Sequence, residues 1–280
     1  MRTVNVSDVI STVKEMCIEV NYHLSSDMLE ALSLAEREEK SELGVKILQQ
    51  LDENLKIASE GEIPICQDTG MAVFFVEVGQ EVHIEGGSLT DAINEGVRRG
   101  YEEGYLRKSV VGDPLIRVNT KDNTPAVIHY DYVSGDKLKI TVAPKGFGSE
   151  NMSRVFMLKP ADGIEGVKNA VLTAVSDAGP NACPPIVVGV GIGGTFEKCA
   201  LMAKQALTRP GGSHSDILYV RQMEEELLTR INKMGIGPAG LGGTVTALGV
   251  NILTYPTHIA GLPVAVNICC HVNRHAVREL

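Results

Sequence analysis

GPNACPPIVVGVGIGGTFEKCALMAKQAL, spanning Gly179–Leu207, is the stretch whose reading decides the fold. From Pro185 the run PIVVGVGIGG is apolar and β-branched, and reads as a buried strand running into a glycine loop. Residues 196–208 then read as a helix, and residues 162–177 read as another on the upstream side. Downstream, 216–234 reads as a helix, a second glycine-rich stretch GIGPAGLGG covers 235–243, and PVAVNI reads as a closing strand. Helices alternating with strands mark a mixed α/β class.

Upstream, the pattern changes. Val9, Ile10, Val13, Met16, Cys17 and Val20 recur at helical spacing, as do Met28, Leu29 and Leu32, and then Ile47, Leu48, Leu51 and Leu55. Gly61 and Pro64 punctuate the end of this helical portion. AVFFVEV, Ala72–Val78, reads as a strand, and a helix is expected from Ser88 to about Leu106, capped by Ser88 or Thr90. AVIHYDYV and KLKITVA, joined by Ser134-Gly135-Asp136, read as a hairpin. No repeat of fixed period and no long linker interrupts the chain. The expectation is one domain over 1–280, with a helical portion of about 1–60 packed on an α/β remainder.

With 280 residues, 44% of them hydrophobic, the chain can bury one large core or two modest ones. Its net charge of −9 argues against nucleic acid and anionic membrane surfaces as partners. No apolar run reaches the roughly 18 residues of a transmembrane helix. The first residues, MRTVNVSDVISTVKEMC, lack the apolar core of a signal peptide, so the expected location is the cytoplasm. There, cysteines serve as ligands, nucleophiles or core residues more often than in disulfides.

The six cysteines are Cys17, Cys66, Cys183, Cys199, Cys269 and Cys270, and none forms a CxxC pair. Cys17 and Cys199 lie inside helical patterns and read as core. Cys66 opens CQDTG at an element edge, where Asp and Gly are also ordinary turn residues. Cys183 stands before two prolines, which stiffen the backbone and remove amide donors. Cys269 and Cys270 end an apolar strand, and since neighbouring strand side chains point to opposite faces, one of the two faces any given site. A structural zinc site wants four ligands, one of which a histidine could supply. Three cysteines on three loops suit a [4Fe-4S] cluster with one iron open, able to act as a Lewis acid on a hydroxyl. GVGIGGTFEK invites a dinucleotide reading, but its spacing is not GxGxxG and no acidic strand end follows. The competing explanation is close backbone approach, or an anion at the helix N-terminus.

The blocks CQDTG, KGFGSENMSR, GPNACPPIVVGVGIGGTFEKCALMAKQAL, GIGPAGLGG, YPTHIAGLPVAV and CCHVNRH follow one another in this order. Together they make the chain resemble the alpha subunit of two-subunit, class I iron–sulfur fumarate hydratases and L-tartrate dehydratases, over essentially its whole length. The resemblance implies a [4Fe-4S] cluster on Cys66, Cys183 and Cys270, the last chosen over Cys269 by its place four residues before Arg274-His275. It implies Asp68 as an acid/base or base-supporting carboxylate and His258 as a pocket histidine. Gln67, Arg107, Gly146 and Gly148 would meet the substrate, Arg107 as a guanidinium fork for a carboxylate. It further implies a separate beta subunit completing the active site, an α2β2 hetero-oligomer, and a small dicarboxylate substrate. The implied reaction is reversible hydration of fumarate to L-malate, with L-tartrate dehydration to oxaloacetate as the alternative. Readings of another class are a non-catalytic scaffold subunit with a structural metal, and a nucleotide-binding oxidoreductase.

Overall fold

The two most apolar strand segments of the sequence each take an interior place in a separate sheet. A computed structural model describes residues 2–280. The chain runs β1 (Arg2–Asn5), α1 (Val6–Tyr22), α2 (Ser26–Glu38), α3 (Glu42–Gly61), β2 (Val73–Gly79), β3 (Val82–Glu85), α4 (Leu89–Glu103), β4 (Val127–Val133) and β5 (Leu138–Val142). It continues through α5 (Phe147–Glu150), β6 (Arg154–Leu158), α6 (Gly163–Ala178), β7 (Ile186–Gly193), α7 (Phe196–Ala206), α8 (Leu218–Asn232), β8 (Ala247–Tyr255), β9 (Leu262–Cys269) and β10 (Ala276–Glu279). The class is mixed α/β, as the sequence indicates. The chain divides into two compact units. Unit 1 takes the residues up to Ser25, Asn54–Phe147 and Arg274–Leu280; unit 2 takes Ser26–Glu53 and Gly148–Asn273. The N-terminal helical portion is therefore not one body: α1 belongs to unit 1, α2 to unit 2, and the division falls inside α3.

Unit 1 is built on a four-stranded sheet in the order β10-β5-β2-β4. This corrects the hairpin expected between AVIHYDYV and KLKITVA, because β2 lies between them, parallel to β4 and antiparallel to β5. The reason is burial. VFFVEVG is buried at six of its seven positions and fits the centre, whereas VIHYDYV is half-exposed and fits an edge. Phe74, Val76 and Val78 share a core with Val9, Val13, Met16 and Cys17 of α1 and Ile93, Val97 and Tyr101 of α4. The helices cross closely because α4 carries glycines at the contact: a Cβ on Gly96 would stand 2.6 Å from Val13 Cβ. Ser88 caps α4 as expected, accepting from the Asp91 amide at 3.3 Å. Cys17 is sealed in this core, and burial pushes its thiol up to about 12.

Unit 2 carries the sheet β6-β9-β7-β8, with β8 parallel to β7 and β9 antiparallel to it. One face, through Ile186, Val188, Val190, Val264, Val266 and Ile268, packs on α6 and α8. The other face meets α7. There the alternate positions of β7 are glycines, and a Cβ would stand 2.1 Å from the Ala203 carbonyl oxygen at Gly189 and 2.1 Å from that of Cys199 at Gly191. Gly193, at φ +90, lies equally tight on Tyr255. The glycine spacing therefore serves a helix laid directly on a strand, the close-approach explanation, and the dinucleotide reading loses its motif. Glu39 ties α2 and α3 to the same unit. Its carboxylate accepts amide hydrogen bonds from Lys40, Ser41, Thr244 and Val245 at 2.8–2.9 Å. Burial alone would raise its pKa, but these donors outweigh it and hold the carboxyl below the ordinary range.

Candidate functional site

In unit 1 the loop CQDTG is shaped by its own polar groups. The Cys66 thiol lies 3.4 Å from Gln67 Oε1, and the Asp68 amide donates to Cys66 Sγ at 3.4 Å. A thiolate there would be met by amide N–H groups, with the Gln67 carboxamide turned to donate. Asp68 uses both carboxylate oxygens: Oδ1 accepts from the Gly70 amide at 3.1 Å and Oδ2 from the Phe147 amide at 2.9 Å. Gly146 permits that second contact, since a Cβ would come within 3.0 Å of Asp68 Oδ2. Thr69 is 1% exposed and its hydroxyl accepts from the Arg107 amide at 2.9 Å, which draws the arginine's backbone beside the loop. The Tyr101 hydroxyl donates to the Thr69 and Gly70 carbonyls, and Asn123 donates to that of Gly70. Gly70 itself, at φ +77, presses on the Lys145 backbone, with which Met71 exchanges two hydrogen bonds.

The unit thus brings Cys66, Gln67, Asp68, Arg107 and Gly146 together. Gln67 and the Arg107 side chain face solvent, and the Arg107 guanidinium has no acceptor among the described residues. The sequence did not single out what supports the loop from beneath. Thr69, Tyr101, Asn123 and the Phe147 amide are ordinary by type, and their link to the loop appears in the fold alone. Arg274 is a further supporting group. It is buried and donates through Nη2 to the Asp68 carbonyl at 2.5 Å.

In unit 2, Cys183 ends the 3-10 turn Gly179–Ala182 in the left-handed conformation, at φ 55. Its amide donates to the Pro180 carbonyl at 3.1 Å, and the His271 ring contacts its carbonyl oxygen at 3.3 Å. GIGPAGLGG buttresses this turn. The Ala239 amide donates to the Pro184 carbonyl at 2.8 Å, and Gly240 packs so closely that a Cβ would lie 2.3 Å from Pro180 Cβ. Gly148 borders the same turn, 3.9 Å from the Asn181 carbonyl oxygen by the same measure. Cys270 follows the end of β9, where Cys269 pairs with Val187 at the start of β7. Cys183, Cys270 and Gly148 therefore share one end of the unit 2 sheet. Cys269 alternates with Ala265 and Asn267 toward α7 and is 3% exposed, whereas Cys270 is partly open to solvent.

Within unit 2, His258 stands apart from Cys183 and Cys270. It follows the C-terminal end of β8 and precedes β9, so it stands at the opposite end of the sheet from Cys183 and Cys270. The eight residues of β9 separate the two ends, on the order of 25 Å at about 3.3 Å per residue. There it borders an apolar recess with Ile164, Val167, Ile192, Tyr219 and Ile259. Position in the chain does not show on which end of a strand a loop falls.

None of the six cysteines is in a disulfide. Cys17, Cys199 and Cys269 are buried in the cores of their units, and burial raises the Cys199 thiol as it does Cys17. Cys66, Cys183 and Cys270 are the three that solvent reaches. That partition fits a soft-metal donor set of three thiolates, and the Cys66 and Cys183 loops are shaped by hydrogen bonds to their own backbone. Among the described residues, no group of three or more His, Cys, Asp or Glu side chains gathers as a metal site within either unit.

Comparison with known proteins agrees with the order of the blocks. The sequence profile of the family described as Fumarate hydratase (Fumerase) matches residues 10–279. A Methanocaldococcus jannaschii protein, provisionally named L(+)-tartrate dehydratase subunit alpha, is 42% identical over 281 residues, covering 98% of this chain and 97% of its own. The L(+)-tartrate dehydratase subunit alpha of Escherichia coli strain UTI89 is 32% identical over 259 residues, covering 91% of this chain and 85% of its own. That of Escherichia coli strain K12 is 31% identical over the same shares.

Proposed function

The chain belongs to the fumarate hydratase (Fumerase) family, as a hydro-lyase alpha subunit, and from that premise we propose that it hydrates fumarate reversibly to L-malate with a [4Fe-4S] cluster and a separate beta subunit. The observation that carries this reading is the Asp68 carboxylate, fixed by two backbone amides, with the solvent-reachable Cys66 thiol and the partnerless Arg107 guanidinium in the same unit. Cys66, Cys183 and Cys270 would hold the cluster. When bound, it would supply a Lewis acid at the iron that lacks a cysteine, easing departure of the C2 hydroxyl.

The chain's own residues do the rest of the work on this side of the substrate. Arg107 pairs with a substrate carboxylate, a bidentate contact that sets the orientation of the carbon chain. Asp68 takes the C3 proton in the dehydration direction, or supports the group that takes it. Its two amide donors hold the carboxylate in one orientation, so little freedom is lost when substrate arrives. Gly146 and Gly148 leave backbone exposed where side chains would crowd the ligand. Gln67 orients against the Cys66 sulfur. The beta subunit supplies the remaining grip on the dicarboxylate, in an α2β2 assembly. No helix among the described residues is long and apolar enough to cross a membrane, and we place the protein in the cytoplasm, where thiolates stay reduced.

A second reading, dehydration of L(+)-tartrate to oxaloacetate, is favoured by the names of the relatives. The deciding experiment is anaerobic reconstitution of the alpha chain with iron, sulfide and the beta chain, followed by assays of fumarate, L-malate and L-tartrate side by side. The expected result is the highest kcat/KM on the fumarate–malate pair. Turnover of tartrate alone would transfer the assignment to the second reading. A loaded complex that turns over none of the three would leave a metal-bearing scaffold subunit and overturn the proposal.

A further inference from the structure

Arg274 is 4% exposed, on the segment of unit 1 that leads into β10. Its Nη2 donates to the Asp68 carbonyl oxygen at 2.5 Å. Its Nε and Nη1 are buried as well, and neither has an acceptor among the described residues. Among the described residues, no carboxylate forms an ion pair with it. A guanidinium kept out of water with two donors unused is costly to the fold, because desolvation is not repaid. An apolar side chain of similar length would fill the same space without that cost. The charge is therefore not there for stability, and what it does touch is the main chain of the residue read as the acid/base carboxylate.

Resting on the hydro-lyase reading of the CQDTG loop, we propose that Arg274 is a positioning residue for Asp68. It fixes the peptide plane between Asp68 and Thr69 from the buried side, while the Phe147 and Gly70 amides fix the carboxylate from the other. Three anchors on one residue leave its carboxylate a single orientation. Removing the anchor at the carbonyl frees the peptide to rotate, which displaces the carboxylate without touching substrate binding by Arg107.

The test uses the loaded alpha–beta complex carrying Arg274→Met, Arg274→Lys, Asp68→Asn, or Asp68→Asn with Arg274→Met. Arg274→Met is expected to keep the cluster's visible absorbance and to melt no lower than wild type. Its kcat is expected to fall at least about tenfold with little change in KM, the pattern of a lost transition-state contribution. Arg274→Lys, whose ammonium still reaches a carbonyl, is expected to recover part of that loss. The double variant is expected to be no slower than Asp68→Asn alone, since both changes act through one group. In the unloaded alpha chain, hydrogen exchange across residues 66–71 should quicken in Arg274→Met and slow again in Arg274→Lys. An Arg274→Met chain that fails to fold or melts well below wild type makes the residue structural and overturns the proposal. Unchanged kcat, or losses that multiply in the double variant, overturn it too. Wild-type complex that turns over no dicarboxylate would remove the hydro-lyase reading instead, and the exchange comparison would still report whether the anchor exists.

Discussion

Asp68 and Arg107 are held by different means, and the difference predicts how each responds to change. Asp68 is gripped at both carboxylate oxygens and at its carbonyl. Arg107 is gripped through its backbone alone, its amide and carbonyl both meeting the Thr69 hydroxyl, and its guanidinium extends into solvent. Removing the Arg107 side chain should therefore leave the fold and the cluster intact. Arg107→Ala is expected to lower kcat/KM about 100-fold, the loss of a charge-assisted pair of roughly 3 kcal/mol, mostly through KM, with melting temperature and cluster absorbance unchanged. Steady-state kinetics on the loaded complex check this, and an unchanged kcat/KM would take Arg107 out of the pocket. The residue types of this loop were legible in CQDTG. Its geometry was not, because the Phe147 amide lies 79 residues from Asp68 and Arg274 lies 206 away. Local sequence carries no trace of such pairs.

Elements were legible where one physical demand dominated and obscure where two competed. The central strand of unit 1 announced itself by its apolar run, as did α4 by its spacing and its Ser88 cap. The pairing of β4 with β5 failed because turn chemistry is local, whereas strand order is set by which segment most needs burial on both sides. β8 went unread since only three residues separate ALGVNILTY from the glycine stretch. The glycines of β7 were ambiguous in sequence, and the packing of α7 resolves them. That resolution makes a prediction at this scale. Gly191→Ala would drive a methyl group into the Cys199 carbonyl, and α7 must lift off the sheet to admit it. The expected cost is about 3 kcal/mol or more, read as a lowered denaturant midpoint. A neutral substitution would mean that the helix does not lie on the strand as described.

Across the whole molecule, six cysteines divide into two sets of three. Cys17, Cys199 and Cys269 are enclosed by the cores of their units, and Cys66, Cys183 and Cys270 stand on loops within reach of solvent. Sequence already separated Cys17 and Cys199 by their helical surroundings. The choice between Cys269 and Cys270 rested on a family pattern; in the fold Cys269 turns toward α7 and Cys270 is partly open to solvent. His258 lies at the other end of the unit 2 sheet from Cys183 and Cys270, a placement that the order of motifs along the chain does not disclose. The proposal that three thiolates hold one cluster is tested most directly by four serine variants, each reconstituted anaerobically and read by visible iron–sulfur absorbance. Cys66→Ser, Cys183→Ser and Cys270→Ser should each lose it, while Cys269→Ser keeps it. Retention of the absorbance in Cys270→Ser with its loss in Cys269→Ser, or retention in all four, would contradict the account.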